Sequence, residues 1–464
     1  MMDRLTTLDA EFLHVEDDTA PMHIAGICVF AGPAPGFHDL TAMVESRLGD
    51  IPRYRQRVEN VPLEIGRPIW VDDSDFDITY HLRHTALPAP GTDDQLCTLM
   101  GRLMAHPLDR RRPLWEAWLV EGLEDDRWAL IFKVHHCMVD GIAGVALLEA
   151  LLDMEPMPRP VEPETWDPRP EPSPAAKVLG SWIGLGSDLV SWGSHVPALL
   201  AAPGHTLRTA GAVLGGAARL LARLTPTSGL SIEGGIGPHR SWNHASVSLD
   251  DIRTVRRAFG GTVNDVVLAA VTAGYRALLL AHDDDPDTAV VRAAIPVSVR
   301  HGQGGVGNRV SAMVLDLPVA VVDPVERLDL VRAEMDRLKR SHMTEAAEAL
   351  TQLGDLAPPM LIGPISRMAL RAEHAAAQRS VTTVVTNVPG PQFPLYCLGR
   401  EMVEYRPFLG ISYGVRVTTA ILSYNGRVSI GVTGDADSVP DVQVLADAAA
   451  AAVAELVKRA KRRR

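Results

Sequence analysis

The sequence predicts a two-part α/β protein, and three observations carry the prediction. The chain has 464 residues, whereas a single hydrophobic core stops growing at roughly 250 to 300, so two or three cores are expected. Strand-like and helix-like patterns alternate on both sides of one proline-rich break. Each side also contains the signature of a β-hairpin.

In the first part, residues 1–153, "HIAGICVFAG" (23–32) reads as a strand and "FHDLTAMVESRLGDI" (37–51) as a helix. "PLWEAWLVEGLEDDRWALIFKV" (113–134) reads as two strands around the turn-like "GLEDDR". The stretch "EPMPRPVEPETWDPRPEPSP" (155–174) packs prolines and acids too densely for a helix or strand and is a linker. Ala175–Leu224 follows, rich in Ala, Leu and Gly, its only charges being Lys177, Asp188, Arg208, Arg219 and Arg223. Linker and apolar segment together form a crossover, residues 154–240. The second part, 241–464, restarts at "SWNHASVSLDDI" with a strand and then helices. "TAVVRAAIPVSV" and "VSAMVLDLP" read as strands and "PVERLDLVRAEMDRLKRSH" as an amphipathic helix. "VRVTTAILSYNGRVSIGVTGD" reads as a hairpin on an Asn425-Gly426 turn. An Ala-rich helix opened by Ser438 ends the chain in "VKRAKRRR".

Composition narrows the class. With 46% hydrophobic and 22% charged residues, the chain has the make-up of a globular protein. A formal charge of -12 argues against broad nucleic-acid binding, which wants a basic face. Cys28, Cys97, Cys137 and Cys397 form no CxxC pair, so a reducing cytosol is the expected home. The opening "MMDRLTTLDAEFLHVEDD" lacks a signal-peptide core, and no stretch reaches the roughly 18 uninterrupted apolar residues of a membrane span.

The chemistry concentrates in "KVHHCMVDGIAG", Lys133–Gly144. If the second strand of the first hairpin runs unbroken through His136, alternation puts Trp128, Leu130, Phe132, Val134 and His136 on one face and Lys133 with His135 on the other. The apolar "IAGVALLEALLDM" after Gly141 reads as a buried helix. The histidines thus occupy a tight strand-to-helix connection that can face a cleft. A histidine there suits general-base work, since its ordinary pKa near 6.5 leaves it mostly neutral at pH 7. Activity is then expected to fall as His136 protonates between pH 8 and 5. Asp140 could orient the imidazole or brace the loop, and Gly141 permits a turn that a β-carbon would obstruct. A metal site would use the same His and Asp types, but adjacent histidines on a strand point apart, whereas metalloproteases set two on one helical face. Cys137 has no neighbour to lower its pKa and reads as a small buried residue.

"HHCMVDG" resembles the HHxxxDG active-site signature of CoA-dependent acyltransferases with the chloramphenicol-acetyltransferase-like fold. "RPLWE" (112–116), "VNDVVLA" (263–269), "GNR" (307–309) and "TNVPGP" (386–391) follow in order, and the opening "LTTLDAEFL" fits too. Together they are similar to the bacterial wax ester synthase/acyl-CoA:diacylglycerol acyltransferase family, of the triacylglycerol synthase type. The resemblance implies two pseudo-symmetric subdomains with mixed sheets flanked by helices, and between them a central tunnel entered by acyl-CoA from one side and the acceptor alcohol from the other. It implies that His136 is the general base, taking a proton from the hydroxyl of diacylglycerol or a long-chain alcohol. Asp140 would be structural, paired with an arginine, and His135 secondary. Acyl-CoA is a co-substrate; no metal or bound cofactor is implied. Thr386 and Asn387 in "TNVPGP" are the candidate oxyanion donors, although the same letters describe a strand ending in a proline turn. Asn264 would lie near the tunnel, while "TVND" matches a helix N-cap box with Thr262 as cap and Asp265 three residues on. "PLW" reads as a core plug behind the histidine strand. "HGQGGVGN" lacks the Lys-Ser/Thr ending of a phosphate loop.

A lipid acceptor requires access to a membrane or oil phase. Ala175–Leu224, with Trp182, Trp192 and a basic balance, suits the inner face of the cell membrane or a lipid droplet, or simply a helical crossover packed on both subdomains. The C-terminal "KRAKRRR" offers a membrane contact or a solvated tail. Three other readings stand beside acyl transfer from acyl-CoA: a condensation or polyketide-associated acyltransferase using a carrier-protein thioester, a non-catalytic lipid-binding or droplet-coating protein on the same fold, and a metal hydrolase. "PLW", "ND" and "NVPGP" favour the CoA enzyme over the first, and the intact His136, Asp140 and Gly141 argue against the second.

Overall fold

The computed structural model describes residues 3–62, 66–139, 148–160, 166–180, 229–298, 310–340 and 381–463. The strands of the N-terminal part are β1 (His23–Ala31), β2 (Gln56–Glu59), β3 (Ile69–Asp72), β4 (Leu82–Ala86), β5 (Trp115–Leu123) and β6 (Arg127–His135). Those that follow are β7 (Glu233–Gly234), β8 (Arg240–Ser248), β9 (Val291–Ser298), β10 (Val310–Leu317), β11 (Thr383–Pro389), β12 (Tyr396–Cys397), β13 (Arg400–Leu409), β14 (Gly414–Val415), β15 (Val417–Tyr424) and β16 (Arg427–Asp435). The helices include α1 (Thr7–Val15), α2 (Phe37–Arg47), α3 (Ile78–His81), α4 (Asp93–Met104), α5 (Leu249–Phe259), α6 (Val263–Ala281), α7 (Pro324–Arg340) and α8 (Gln443–Arg462).

Two six-stranded sheets organise the chain, in the orders β12-β13-β1-β6-β5-β4 and β10-β9-β11-β15-β16-β8. The runs β1-β6-β5-β4 and β8-β16-β15-β11 share one pairing scheme: antiparallel, antiparallel, parallel. This repeated scheme is the pseudo-symmetry, invisible as sequence repetition because only the pairing recurs. Both hairpins form as read. The second turns on Asn425 and Gly426 with φ of 41° and 79°, the left-handed pair that a two-residue type I′ turn needs. Alternation along β6 sends Trp128, Leu130, Phe132 and Val134 to one core and Ala129 and Ile131 to another.

The halves are not self-contained. Strands β12 and β13 come from the C-terminal half yet complete the N-terminal sheet, β13 pairing with β1 from Ile24↔Leu409 to Phe30↔Met402. Arg406 on β13 is 2% exposed and pairs with Asp93 at the start of α4 and with Glu404. A buried guanidinium is tolerable only when so compensated, and the pairing fixes the crossing strand in place. Gly431 of β16 lies directly under β13: a β-carbon there would collide with the Pro407 carbonyl. The joint between the halves therefore depends on a bare backbone position.

α6 is long and apolar enough to cross a membrane, but 67% of its apolar window is buried, and it packs against α5, α7 and α8 as a core helix. Its capping box is present as expected: the Thr262 hydroxyl accepts from the Asp265 amide, and the Asp265 carboxylate accepts from the Thr262 amide. Ser438 does not open the last helix. Its hydroxyl and amide both donate to Asp435 Oδ2, which holds it in the turn after β16, and α8 starts at Gln443. The C-terminal basic run is helical to Arg462, with Arg459 paired to Glu455 and Asp323. The linker runs along the N-terminal half through Arg159–Asp153, Arg169–Asp72 and Glu171–Arg57 pairs. Lys177, counted towards the basic balance of the crossover, is tied to Glu59 and Glu171. Trp182 and Trp192 lie outside the described residues.

Candidate active site

The strand that delivers the histidines ends one residue earlier than expected. β6 stops at His135, whose amide donates to the Leu114 carbonyl, and Met138 N–H closes a turn on the His135 carbonyl. His136 is held from the other side, its amide donating to Met22 O at 2.9 Å. It therefore does not simply continue the Val134 face. Its ring instead stacks on Phe12 of α1, centroids 4.6 Å apart and planes 17° from parallel. "PLW" is the core plug it was read as: Leu114 and Trp115 are buried, Trp115 lies opposite Val134, and its indole donates to the Tyr54 carbonyl at 2.8 Å.

The two histidines differ in what their rings are free to do. His135 is 0% exposed. Its Nδ1 accepts from the Cys137 amide at 3.1 Å, which puts the ring proton on Nε2, facing Glu16 Oε1 at 3.5 Å. His136 is partly exposed, and no described residue hydrogen-bonds to either of its ring nitrogens. Of the two rings, His136 is the one whose nitrogens no described residue claims, and it can offer a lone pair to a substrate. Burial, reinforced by the charge of neighbouring His135, pushes its pKa down from 6.5 to about 4. This lies below the ordinary histidine range between pH 8 and 5, because burial disfavours the ring's cation.

Sequence reasoning missed the residues behind this pair. Glu16, just past the end of α1, accepts from the Met22 amide at 2.9 Å through Oε1 and from Arg110 Nε at 2.9 Å through Oε2. Burial opposes its ionisation, but His135, Arg110 and the Met22 amide outweigh it and hold the carboxyl at about 2. Glu16 stands in an acid-rich stretch, "EDD", and no local signal separates it from its neighbours. Behind His135, the Lys133 ammonium is buried against the Leu103 and His106 carbonyls, and burial lowers its pKa to about 8. Cys137 is buried, with its thiol pushed well up by burial, which agrees with a packing role. Asp140 and Gly141 lie outside the described residues, as does "GNR". Among the described residues no group of three or more His, Cys, Asp or Glu side chains could hold a metal ion.

On the C-terminal sheet, alternation along β11 separates the two candidate oxyanion donors. Thr383, Val385 and Asn387 share the face towards α6, where Thr383 meets the Tyr275 hydroxyl and Asn387 Nδ2 donates to Asn264 Oδ1 at 2.9 Å. Asn264 and Asn387 thus bridge helix and strand. Thr386 lies on the opposite face with Val388, which packs on the same core as Met138 and Val139 beside the histidines. No hydrogen bond among the described residues joins the asparagines to His136.

This arrangement has known relatives. The wax ester synthase/diacylglycerol acyltransferase catalytic domain matches residues 5–267, and the WS/DGAT C-terminal domain matches residues 306–457. A Mycobacterium tuberculosis protein named as a probable diacylglycerol O-acyltransferase is 36% identical over 100% of this chain and 97% of its own length. The structure of a wax ester synthase/diacylglycerol acyltransferase from Marinobacter aquaeolei VT8 superposes with a TM-score of 0.70 at 26% identity, covering 99% of this chain and 100% of that one. The first condensation domain of a calcium-dependent antibiotic synthetase shares the fold, with a TM-score of 0.59 at 16% identity over 98% of this chain and 96% of that one. With catalytic and C-terminal domains both matched in order, the chain belongs to the wax ester synthase/diacylglycerol acyltransferase family.

Proposed function

We propose that this chain transfers a long-chain acyl group from acyl-CoA to the free hydroxyl of diacylglycerol, and to long-chain alcohols by the same chemistry, with His136 as general base. The observation that carries the proposal is the contrast between the histidines: one ring is fully buried, with Nδ1 taken by a backbone amide and Nε2 turned to Glu16, while the other is partly exposed and no described residue hydrogen-bonds to its nitrogens. Neutral His136 takes the hydroxyl proton as the alcohol oxygen attacks the thioester carbonyl. The tetrahedral oxyanion then collapses, the C–S bond breaks, and the CoA thiolate takes the proton back from the imidazolium. A base of this kind contributes about 100- to 10,000-fold.

Thr386 is the better supported oxyanion donor, because its face of β11 is the one turned to the core shared with the histidine turn, while Asn387 spends one amide proton on Asn264. We further propose that the reaction runs at the inner face of the cell membrane or on a lipid droplet, where an insoluble acceptor can be met. The test is CoA release from palmitoyl-CoA with dioleoylglycerol or hexadecanol, with the ester identified by mass. Acceptor-dependent release with a matching ester is expected. Release without an acceptor, or only from a carrier-protein thioester, would refute the proposal.

A further inference from the structure

We infer that Glu16 is a positioning residue for the histidine pair: its carboxylate faces the protonated nitrogen of His135 and, through the backbone of residue 22, fixes the place of His136. This rests on His136 being the base. The contacts form a closed circuit. Glu16 Oε1 receives the Met22 amide at 2.9 Å, and the carbonyl of the same residue receives the His136 amide at 2.9 Å. Glu16 Oε1 also stands 3.5 Å from His135 Nε2, the nitrogen left with the proton once Nδ1 accepts from the Cys137 amide. Arg110 closes the back of the carboxylate through Nε and Nη2 and donates to the Leu13 carbonyl at the end of α1. The same helix supplies Phe12, whose ring covers His136. One carboxylate thus ties together the helix that flanks the base, the residue just before β1 that holds its amide and the histidine beside it. The Glu16 side chain is 6% exposed, so it braces the pair from behind.

A buried anion with a purely structural duty would cost stability when removed and leave turnover per folded molecule unchanged. A positioning role makes a different pattern. Gln at residue 16 keeps an oxygen for the Met22 amide and for His135 Nε2–H and loses the charge pair with Arg110; Leu keeps neither. For Glu16→Leu, kcat per folded molecule is expected to fall between about 10- and 100-fold with KM within about twofold, the scale at which small misplacement of a reacting group is felt. Glu16→Gln is expected to retain kcat within about threefold although its melting temperature falls.

The experiment measures kcat, KM and melting temperature for wild type, Glu16→Gln, Glu16→Leu and His136→Ala in the CoA-release assay. Nitrogen-proton spectra of histidine-labelled wild type and Glu16→Gln read the His135 tautomer, its signals identified by their loss in His135→Gln. Proton on Nε2 and a selective kcat loss in Glu16→Leu support the inference. A wild-type His135 protonated on Nδ1 overturns it even if Glu16→Leu does not fold, as does a folded Glu16→Leu with wild-type kcat. If His136→Ala keeps its rate, the base assignment itself fails, an outcome distinct from a silent Glu16.

Discussion

Lowering the pH separates a buried catalytic histidine from an ordinary one. His136 is held down to about 4 by burial and by His135. At pH 5.5 a group titrating near 4 is about 97% neutral, whereas one at 6.5 would be only about 9% neutral, roughly a tenfold difference in competent enzyme. The assay is kcat/KM for CoA release between pH 4 and 8, which reports the free enzyme's essential base. A plateau from pH 8 to about 5.5 with an acid limb near 4 is expected; half-maximal rate near pH 6.5 would refute the reasoning. Unfolding must be followed in parallel, because linkage acts in the same range. Between pH 6.5 and 4 the unfolded chain binds a proton at His136 that the folded chain refuses, so stability declines as pH falls through that window. Glu16, lowered from 4.5 to about 2, contributes stability that is complete above 4.5 and lost as pH falls from there towards 2. Circular dichroism at each pH identifies the points where the protein is still folded.

Three further outcomes follow from the packing. Trp115→Ala, removing a 3% exposed ring stacked on His81 at 4.7 Å, is expected to cost about 3 to 5 kcal/mol in urea unfolding. Gly431→Ala should destabilise by about 1 to 3 kcal/mol by forcing β16 off β13, and an unchanged urea midpoint would count against the close joint. Alanine substitutions at Asn264 and Asn387, singly and together, should couple by about 0.5 to 1.5 kcal/mol in stability, as a neutral hydrogen bond does; a loss of activity confined to Asn387→Ala would instead give that residue a substrate contact.

Local rules were readable in the sequence because their causes are local. The Asn425-Gly426 turn, the Thr262/Asp265 box and the alternation of β6 each follow from a few neighbouring residues. The motif histidines stood out for the same reason. What could not be read depended on distant partners. Nothing in "REMVEYRPFL" announces that β13 will join β1 of the other half, since a strand buried against two elements looks alike in either sheet. Glu16 and Arg110 are 94 residues apart, and their meeting exists only after α1 has docked. Ser438 carries a capping signal in isolation, as a serine before a helical pattern, but the competing acceptor, Asp435, lies at the end of β16 and takes its hydroxyl. The altered pKa of His136 belongs to the same class: composition gives the side chain, and only packing gives its surroundings.

The most direct test of the central claim is CoA release by wild type and by His136→Ala at saturating palmitoyl-CoA and dioleoylglycerol, both proteins shown to be folded. A fall in kcat of at least about 100-fold is expected, with His135→Gln losing less because that ring supports and does not react. A folded His136→Ala protein that turns over at the wild-type rate would contradict the assignment of His136 as the base.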